Sequence, residues 1–299
     1  MKSIALFVSI LCFPLALFGG EKKFEKKFDV DSGGRLVVKT DFGDVSVKGT
    51  SSDVVSINAL IRGSMSDLDE FEVTADQSGN TVEVRGKGPK SDSWWSSGLD
   101  NMSVRIMIEV PERFNIDVST AGGDVTVDRI EGAVEAGTSG GDVTVRGIRG
   151  EVSVGTSGGD IVAEELTGNL KGSTSGGDIR VAQLSGNAGV ETSGGDIRIS
   201  GVGGSVRAET SGGDIVVLLT GTNKGVMAET SGGDIEIRAA KGIAANLDAS
   251  TSGGSVVCNL PILLVGEIDE SEVRGTINGG GEMIRARTSG GDIRIRQAD

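Results

Sequence analysis

The chain has 299 residues, which is enough for one large or two ordinary domains. Its 49 glycines lack the three-residue period of collagen, and Val, Ile and Leu recur at fixed intervals, so a collagen-like chain and a disordered chain are both excluded. The formal net charge of −14 at pH 7 argues against nucleic acid or an anionic membrane as a partner held by bulk electrostatics.

Residues 1–20 have the layout of a secretory signal peptide. Lys2 provides a positive start, an apolar run extends from residue 4 to residue 18, and Gly19 and Gly20 are small residues suited to cleavage. A membrane anchor is the alternative interpretation, but this run is shorter than the roughly 20 residues that a spanning helix needs. We therefore expect an exported protein without a stable membrane span after cleavage, located in the periplasm, at the cell surface or outside the cell.

Cleavage would leave a single cysteine. Cys12 would be removed with the signal peptide, so Cys258 has no partner for an internal disulfide. Cys258 falls on an inward position of a predicted strand, which predicts a buried apolar residue rather than a reactive thiol. Loss of Lys2 leaves 28 basic and 43 acidic residues, a net charge of −15.

Residues 21–115 are predicted to form an N-terminal β segment. Residues 36–47 already show alternating apolar positions, which predicts a first lap of a repeated structure. Residues 50–112 then read as longer strands with a hairpin signal at 76–80, which predicts an antiparallel elaboration. We interpret this elaboration as a cap over one end of a repeat stack.

Trp94 and Trp95 are the two tryptophans of the chain and stand side by side in a loop of small residues. Such a pair could stack on sugar rings or insert into a protein or membrane partner, and this makes them the candidate ligand-binding residues. They could equally fold back and cover the end of the repeat stack. Both interpretations remain open at this stage.

Residues 116–299 carry an internal repeat with the motif TSGGDI. The first threonines of the motif recur every eighteen residues, the interval then lengthens, and the last clear copy begins at Thr288. A weaker copy occupies residues 276–281. The repeat threonines before the last copy are Thr120, Thr138, Thr156, Thr174, Thr192, Thr210, Thr230 and Thr251.

Each repeat contains two short runs in which apolar residues alternate with polar ones. Alternation is typical of strands with one buried face, and glycines separate the two runs on both sides. Two strands and two turns per repeat predict an all-β fold: a β-solenoid, or β-helix, of about 18-residue laps with two short strands per lap, plus the antiparallel N-terminal elaboration.

A β-solenoid would align the aspartates of the motif in one column. The structural interpretation is a turn column, in which each carboxylate accepts hydrogen bonds from Ser and Thr hydroxyls and from Gly N–H groups. The alternative is calcium shared between laps, although the calcium-binding nonapeptide has differently spaced glycines. We expect no metal and no cofactor. The predicted turn column consists of Asp124, Asp142, Asp160, Asp178, Asp196, Asp214, Asp234 and Asp292.

Charged residues on the outward positions form further ladders. Arg180 and Arg198 lie on one strand face, and Glu191, Glu209 and Glu229 directly precede the repeat threonines. Such ladders usually keep a surface soluble, and a polar stripe that recognises a ligand is the alternative.

The sequence argues against an enzyme, and we expect no catalytic residues. It contains no histidine, so the commonest general base and zinc ligand are missing. The central laps carry no insertion that could wall a cleft. Longer segments occur only at residues 221–225, 241–248 and 261–274.

Several motifs resemble those of a known family. These are the repeated TSGGDI and TSGGDV, the upstream TDFGDVSV at 40–47, VRIMIEVP at 104–111 and VRGTINGGGEMIRARTSGGDIRI at 273–295. Over about residues 30–297 the chain resembles the bacterial adhesin-like family of β-strand repeats, a domain of unknown function. The resemblance implies an exported β-solenoid and supplies no catalytic residues. Ser255 stands where the Thr251 copy would carry its aspartate.

Taken together, these features predict an exported, non-catalytic adhesin or envelope scaffold. Its expected partner is a cell-surface glycan or a protein. The alternative is a calcium-binding or polysaccharide-processing β-helix protein.

Overall fold

The computed structural model describes residues 20–88, 102–265 and 269–298. Two long sheets face each other, one of 13 strands (sheet A) and one of 14 strands (sheet B), and a short helix, α1 (Met65–Glu70), lies beside them. Sheet A consists of β1 (Glu21–Asp29), β3 (Asp44–Thr50), β4 (Val54–Arg62), β7 (Ser103–Pro111), β9 (Val125–Asp128), β11 (Val143–Arg146), β13 (Ile161–Thr167), β15 (Ile179–Ser185), β17 (Ile197–Val202), β19 (Ile215–Leu219), β21 (Ile235–Ala239), β23 (Val256–Cys258) and β27 (Ile293–Gln297). Sheet B consists of β2 (Gly34–Thr40), β5 (Glu72–Ser78), β6 (Thr81–Lys87), β8 (Phe114–Thr120), β10 (Val134–Thr138), β12 (Val152–Gly155), β14 (Leu170–Ser173), β16 (Ala188–Glu191), β18 (Val206–Glu209), β20 (Val226–Glu229), β22 (Ala245–Thr251), β24 (Ile262–Leu264), β25 (Glu272–Ile277) and β26 (Met283–Thr288).

In the central laps the chain alternates between the two sheets, and equivalent strands stack in parallel. Val143 of β11 pairs with Val125 of the preceding lap and with Ile161 of the following lap, an offset of eighteen residues on each side. Sheet B repeats this offset between β8, β10, β12, β14, β16 and β18. The predicted β-solenoid of 18-residue laps with two strands each is confirmed.

The core lies between the two sheets and consists of the alternating apolar residues. Ile161, Ile179 and Ile197 form a stack in sheet A and have no exposed surface. Full burial of such a side chain stabilises the fold by about 1.5–3 kcal/mol. Each lap contributes only one short strand to each sheet, so its apolar side chains are covered only when the neighbouring laps are present. A single lap alone would not gain this stabilisation.

The N-terminal elaboration caps one end of the stack. In sheet A, β1 pairs with β4 and β4 with β7, both antiparallel, and in sheet B the hairpin of β5 and β6 is antiparallel. Strand β7 then pairs in parallel with β3, and β6 pairs in parallel with β2. The cap therefore joins the stack through ordinary solenoid pairing.

The order of laps in the stack differs from their order in the chain at both ends. The first lap, β2 and β3, lies between the lap of β6 and β7 and the lap of β8 and β9. The last lap, β26 and β27, lies between the lap of β20 and β21 and the lap of β22 and β23. Each of these laps is paired on both sides, so it is protected from fraying.

The segment 261–274, which the sequence offers as a cleft wall, extends sheet B instead. Strand β24 pairs antiparallel with β25, and β25 pairs antiparallel with β22. The weak repeat copy at 276–281 does not form a lap turn, because its residues lie at the end of β25 and in the turn that leads to β26. Asn278, Gly279 and Gly280 adopt positive φ there.

None of the helices in the described ranges has the length and apolar character needed to cross a membrane.

Candidate functional site

The threonine of each TSGGD turn is buried and connects successive laps. The Thr192 hydroxyl donates to the carbonyl oxygen of Gly177 in the preceding lap at 2.9 Å and accepts from the N–H of Gly195 at 3.4 Å. Thr192 is only 6% exposed. The same two bonds recur at Thr156, Thr174 and Thr210. Threonine is therefore required for its hydroxyl as well as for its size.

The second glycine of the turn leaves no space for a side chain. A Cβ on Gly195 would lie 2.1 Å from the carbonyl oxygen of Gly177, which is backbone that cannot move aside. A Cβ on the first glycine, Gly194, would lie 3.4 Å from the carbonyl oxygen of Gly176, close to ordinary contact. The close approach of successive laps therefore determines the second glycine of the motif.

The aspartates form one column of hydrogen bonds along the turns. The Asp142 N–H donates to Oδ1 of Asp124 at 2.9 Å, and the Asp160 N–H donates to Oδ1 of Asp142 at 2.7 Å. This bond recurs in every later lap and ends at Ser255, whose N–H and hydroxyl both donate to Oδ1 of Asp292. All eight aspartates of the predicted column lie in it.

The donors to these carboxylates differ from the expected ones. Ser and Thr hydroxyls and Gly N–H groups were the predicted donors, but the threonine hydroxyls donate to glycine carbonyls and the N–H of the next aspartate donates to the carboxylate. A serine hydroxyl is a donor at Asp292, where it comes from Ser255. The column also contains Asp44, which accepts from the N–H of Asp124 at 3.1 Å. The upstream motif TDFGDV contains this aspartate. Asp44 precedes Asp124 by eighty residues rather than eighteen, so the repeat period did not show that the two are neighbours.

Arginines offset the repulsion between neighbouring carboxylates. Two unit charges 4.8 Å apart repel by about 1 kcal/mol in water. Arg198 lies 2.9 Å from Oδ2 of Asp196 and 3.7 Å from Oδ2 of Asp178, and so bridges two laps. Arg294 bridges Asp292 and Asp234 at 2.7 and 2.9 Å. The Oδ1 atoms accept from backbone and several Oδ2 atoms face arginine, so the column is a structural network.

Asp292 has the most strongly supported carboxylate of the column. Hydrogen bonds from the N–H and the hydroxyl of Ser255, together with the charge of Arg294, lower the pKa of Asp292 below its ordinary value. The hydrogen bond and charge of Asp234 raise the pKa of Arg294. Both shifts favour the charged forms at neutral pH.

The described residues contain no group of three or more Cys, Asp or Glu side chains arranged to hold a metal ion. Successive aspartates of the column lie one lap apart rather than around a common point.

A long groove runs beside the turns on the sheet B side. It has a volume of about 920 Å³ and extends over seven laps, from Thr156 to Thr251 and Thr288. Its lining consists of the repeat threonines, the serines of the TSGG turns and residues that precede the repeat threonines. We call this surface the serine groove. Its turn serines are Ser175, Ser193, Ser211, Ser231, Ser252 and Ser289.

Three of the residues that precede the repeat threonines are glutamates, and they form a ladder along the serine groove. Glu191 is opposite Glu209, Glu209 is opposite Glu229, and Glu229 is opposite Arg287 of the inserted last lap. Glu209 is ion-paired with Arg207, and Arg287 lies 3.3 Å from Asp248. The groove therefore offers a turn hydroxyl in each of six laps, a carboxylate in three of them, and a cation at one end of the glutamate ladder.

The tryptophan pair and Cys258 are the remaining residues that the sequence singled out. Trp94 and Trp95 lie outside the described residues. Cys258 was expected to be buried, but it is only half-buried, because β23 pairs with β27 on one side and no further strand of the described chain pairs with its other edge. Burial raises the pKa of the Cys258 thiol, which favours its unreactive form.

Comparison with known proteins gives one family and several similar solved structures. A family model described as Toastrack DUF4097 matches residues 34–296, in agreement with the resemblance noted from the motifs. A solved candidate adhesin from Bacteroides fragilis is 15% identical, with a TM-score of 0.37 over 92% of this chain and 97% of that one. A candidate lipid-binding protein from Parabacteroides distasonis is 13% identical, with a TM-score of 0.40 over 91% and 96%. A candidate cell adhesion protein from Clostridium sporogenes is 12% identical, with a TM-score of 0.27 over 93% and 100%. No curated protein matches the chain.

Proposed function

The chain belongs to the Toastrack DUF4097 family, and from this premise we propose that it is an exported, non-catalytic β-solenoid that acts as an adhesin or binding scaffold at the cell envelope. The observation that carries this proposal is the serine groove, a polar surface that continues over seven laps without interruption. Export is proposed from the signal-like residues 1–20 and from the single cysteine that cleavage would leave.

The repeat of the groove favours an extended ligand with repeating groups. Six laps present a turn serine at a spacing of about 4.8 Å, so a linear polymer can make a similar contact at each of them. Many weak contacts of this kind add up to useful affinity without any deep pocket. A small molecule would use only a fraction of this surface.

The chemistry of the groove favours a glycan among such polymers. Serine hydroxyls both donate and accept hydrogen bonds, and glutamate carboxylates accept from ligand hydroxyls. The ladder of Glu191, Glu209 and Glu229 and the net charge of −14 would repel an anionic polymer such as nucleic acid. We therefore propose a neutral polyhydroxylated chain as the ligand.

The same geometry supports binding without cleavage. Glycoside hydrolysis needs two carboxyl groups that flank the scissile bond from opposite sides. Glu191, Glu209 and Glu229 instead follow one another in a single ladder along the stack. We therefore propose that the groove supplies contacts along a ligand without cleaving it.

A glycan array probed with residues 21–299 tests the proposal. Ser193→Trp/Ser211→Trp places two large rings in the groove, and we expect it to weaken glycan binding by about tenfold or more, while Ser139→Trp at the same turn position outside the groove leaves binding unchanged. Absence of any glycan binding by the unaltered chain contradicts the proposal. Unchanged binding of the double variant, with loss in Trp94→Ala/Trp95→Ala, would move the site to the tryptophan loop.

The aspartate column is expected not to bind calcium. Its Oδ1 atoms accept from backbone N–H groups, and bridging arginines already face Oδ2 of Asp178, Asp196 and Asp234. A ligand that binds only the folded state raises the melting temperature. We expect millimolar calcium to leave the melting temperature of the chain unchanged relative to magnesium, and a calcium-specific rise would contradict the structural role of the column.

A further inference from the structure

Stacking the last lap in chain order would preserve every strand direction at this end of the molecule. The observed sheets run β20–β26–β22–β25–β24 and β21–β27–β23, which we call the inserted order. Stacking in chain order would give β20–β22–β26–β25–β24 and β21–β23–β27, which we call the chain order. Strands β20, β22 and β26 are mutually parallel and β25 is antiparallel to them, so both orders use the same pairing directions.

The buried faces of these laps do not distinguish the two orders. Ala286 of β26 lies opposite Ala228 of β20 on one side and opposite Ala249 of β22 on the other. In the chain order the same alanines would still lie opposite one another. The choice between the orders therefore rests on the outward side chains, the turns and the lengths of the strands.

The outward side chains differ in charge from lap to lap. The last lap, residues 283–297, contains four arginines and one aspartate, a net charge of +3. The lap of β20 and β21, residues 226–239, contains three acidic residues and one arginine, a net charge of −2. The lap of β22 and β23, residues 245–258, contains one aspartate and no basic residue, a net charge of −1. The inserted order places the positive lap between two negative ones, whereas the chain order would place the two negative laps side by side.

Arg294 and Arg296 contact acidic residues in the lap of β20 and β21. Arg294 lies 2.9 Å from Oδ2 of Asp234, and Arg296 is ion-paired with Glu236. The Glu236 side chain is only 20% exposed, and hydrogen bonds from Arg238 and Arg296 lower the pKa of Glu236 below its ordinary value. The contacts of Arg294 and Arg296 require β27 beside β21, so the chain order would lose them.

Arg285 and Arg287 contact the lap on the other side. Both guanidinium groups lie 3.3 Å from Oδ2 of Asp248 on β22. Strands β22 and β26 are neighbours in both orders, so these two ion pairs would persist in the chain order. The contacts that distinguish the orders are therefore those of Arg294 and Arg296.

The aspartate column also fits the inserted order. The Asp292 N–H donates to Oδ1 of Asp234 at 2.7 Å, and the Ser255 N–H donates to Oδ1 of Asp292 at 2.9 Å. In the chain order Ser255 would lie between the two aspartates, and the Asp292 N–H would face a serine side chain instead of a carboxylate. A hydrogen bond to a charged acceptor is stronger than one to a neutral acceptor, so the column favours Ser255 at its end.

Strand length acts in the same direction as charge. Strand β27 pairs with β21 over five residues but with β23 over three. Placing the short β23 between the two five-residue strands would leave backbone groups of both without a strand partner. The inserted order keeps β23 beside a single longer strand.

We propose that Arg294 and Arg296 are positioning residues that select the inserted place of the last lap by pairing with Asp234 and Glu236. The core and the strand directions are compatible with both orders, so a difference in side-chain contacts decides between them. A single exposed ion pair changes such an equilibrium by only about 1.5- to 5-fold. Arg294 bridges two aspartates and Glu236 accepts from two arginines, so these pairs act as a network on one equilibrium.

The lap order also decides which side chain follows Glu229 along the serine groove. In the inserted order Glu229 is followed by Arg287 and then by Ser250. The chain order would exchange Arg287 and Ser250 and move the cation one lap away from the glutamate ladder. The consequence for a ligand rests on the proposed function, whereas the lap order is measurable without a ligand.

Disulfide trapping during refolding measures the lap order. Ser231→Cys/Ser289→Cys reports the inserted order, because these turns lie in adjacent laps, and Ser231→Cys/Ser252→Cys reports the chain order. Turns of adjacent laps are about 5 Å apart, within the reach of a disulfide. Each variant of residues 21–299, in a Cys258→Ser background, is reduced, unfolded in urea and refolded in a glutathione redox buffer. We expect mass spectrometry to find the first disulfide in large excess over the second.

Reversal of the two selecting charges should change the ratio of the two yields. We expect Arg294→Glu/Arg296→Glu to lower the ratio of inserted to chain order by about tenfold or more, and by less in 1 M salt, which screens the pairs. Adding Glu236→Arg restores opposite charges across β21 and β27 and keeps the Asp234 acceptor, so it should recover the ratio by about threefold or more.

Arg180→Glu/Arg198→Glu is the matched control. It makes the same change in charge at the outward position of β15 and β17 that Arg294 occupies on β27, and it should leave the ratio unchanged. For a reversed chain that does not refold, Arg294→Gln/Arg296→Gln removes the attraction without adding repulsion and should lower the ratio about threefold. An unchanged ratio, an equal shift in the control, a loss that Glu236→Arg does not recover, or equal yields with the unaltered charges would each overturn the proposal.

Discussion

The short distance between the backbones of successive laps determines which residues the turn can contain. The second glycine of TSGGD lies so close to the preceding lap that a methyl group would meet a carbonyl oxygen, whereas the first glycine faces more space. The buried threonine hydroxyl then links the two laps through the carbonyl of the same glycine. The serine carbonyl accepts from the N–H of the first glycine in the neighbouring lap, as in Ser175 and Gly194, and the serine side chain lines the groove.

Gly195→Ala and Gly194→Ala form a matched pair that measures this approach. We expect Gly195→Ala to lower the free energy of unfolding by about 2–3 kcal/mol, because its Cβ would overlap the Gly177 carbonyl and force the laps apart. Gly194→Ala should change it by less than about 1 kcal/mol. Urea unfolding followed by circular dichroism gives both values. Equal effects of the two substitutions would show that lap spacing does not determine the glycine.

Protonation of Asp292 should weaken the fold in acid. The pKa of Asp292 is lower in the folded chain than its ordinary value of 3.8, so its contribution to stability is complete above that value and is lost as the pH falls through the folded pKa. We expect Asp292→Asn, which keeps the Oδ1 acceptor, to reduce the loss of stability below about pH 4. Asp53→Asn, outside the column, is the control. Identical pH profiles of Asp292→Asn and the unaltered chain would contradict this role.

The positions of the aspartates followed from the eighteen-residue period, but their partners did not. A repeat places every residue beside its counterpart, so the sequence shows that carboxylates line up without showing which donor faces them. In the structure, the donor to each of these carboxylates is the N–H of the aspartate in the next lap. Ser255 then has a simple explanation: it occupies the last position of the column among the described laps, where no later N–H needs a carboxylate.

At the scale of elements, short strands depend on their neighbours. Most central strands have four or five residues, too few to be stable alone. Each gains its hydrogen bonds and its covered apolar face from the laps on either side. Stability is therefore a property of neighbouring laps, and the position of each lap in the stack matters more than its position in the chain.

The sequence predicted the laps and the N-terminal cap but not the order of the laps. Strand β26 has Ile284 and Ala286 inward and β27 has Ile293 and Ile295 inward, the same pattern as in the other laps, so any lap fits beside any other. Periodicity alone therefore favoured sequential stacking. The long interval between Thr251 and Thr288 was the available signal, because it contains the strands that extend sheet B before the chain returns.

Removal of residues 283–299 should uncouple the end of the stack. The inserted lap is the one that pairs with both β20 and β22, and with both β21 and β23. We expect the truncated chain to lose hydrogen-exchange protection in β22 to β25 while β8 to β19 keep theirs, because repeat stability is transmitted between neighbours. Mass spectrometry of exchanged peptides provides the measurement. Full protection of β22 to β25 after truncation would show that they fold without the inserted lap.

At the scale of the whole molecule, the two sheets form one continuous stack with different ends and one long polar groove. Thirteen strands at about 4.8 Å span roughly 60 Å, with the lysine-rich edge strand β1 at one end. The serine groove lies along this length and crosses the inserted last lap. Register between laps is therefore what makes the binding surface regular.

Cysteine cross-linking within one chain tests this register and lap order most directly. Ser231 and Ser289 lie in adjacent laps, because the Gly290 N–H donates to the Ser231 carbonyl at 3.0 Å, and Ser252 lies one lap further. The cysteine pairs are introduced in a Cys258→Ser background. We expect Ser231→Cys/Ser289→Cys to form a disulfide, since neighbouring strands are about 4.8 Å apart, and Ser231→Cys/Ser252→Cys at about twice that distance to remain reduced. A disulfide in the second variant and none in the first would mean that the laps stack in chain order, and would contradict the account.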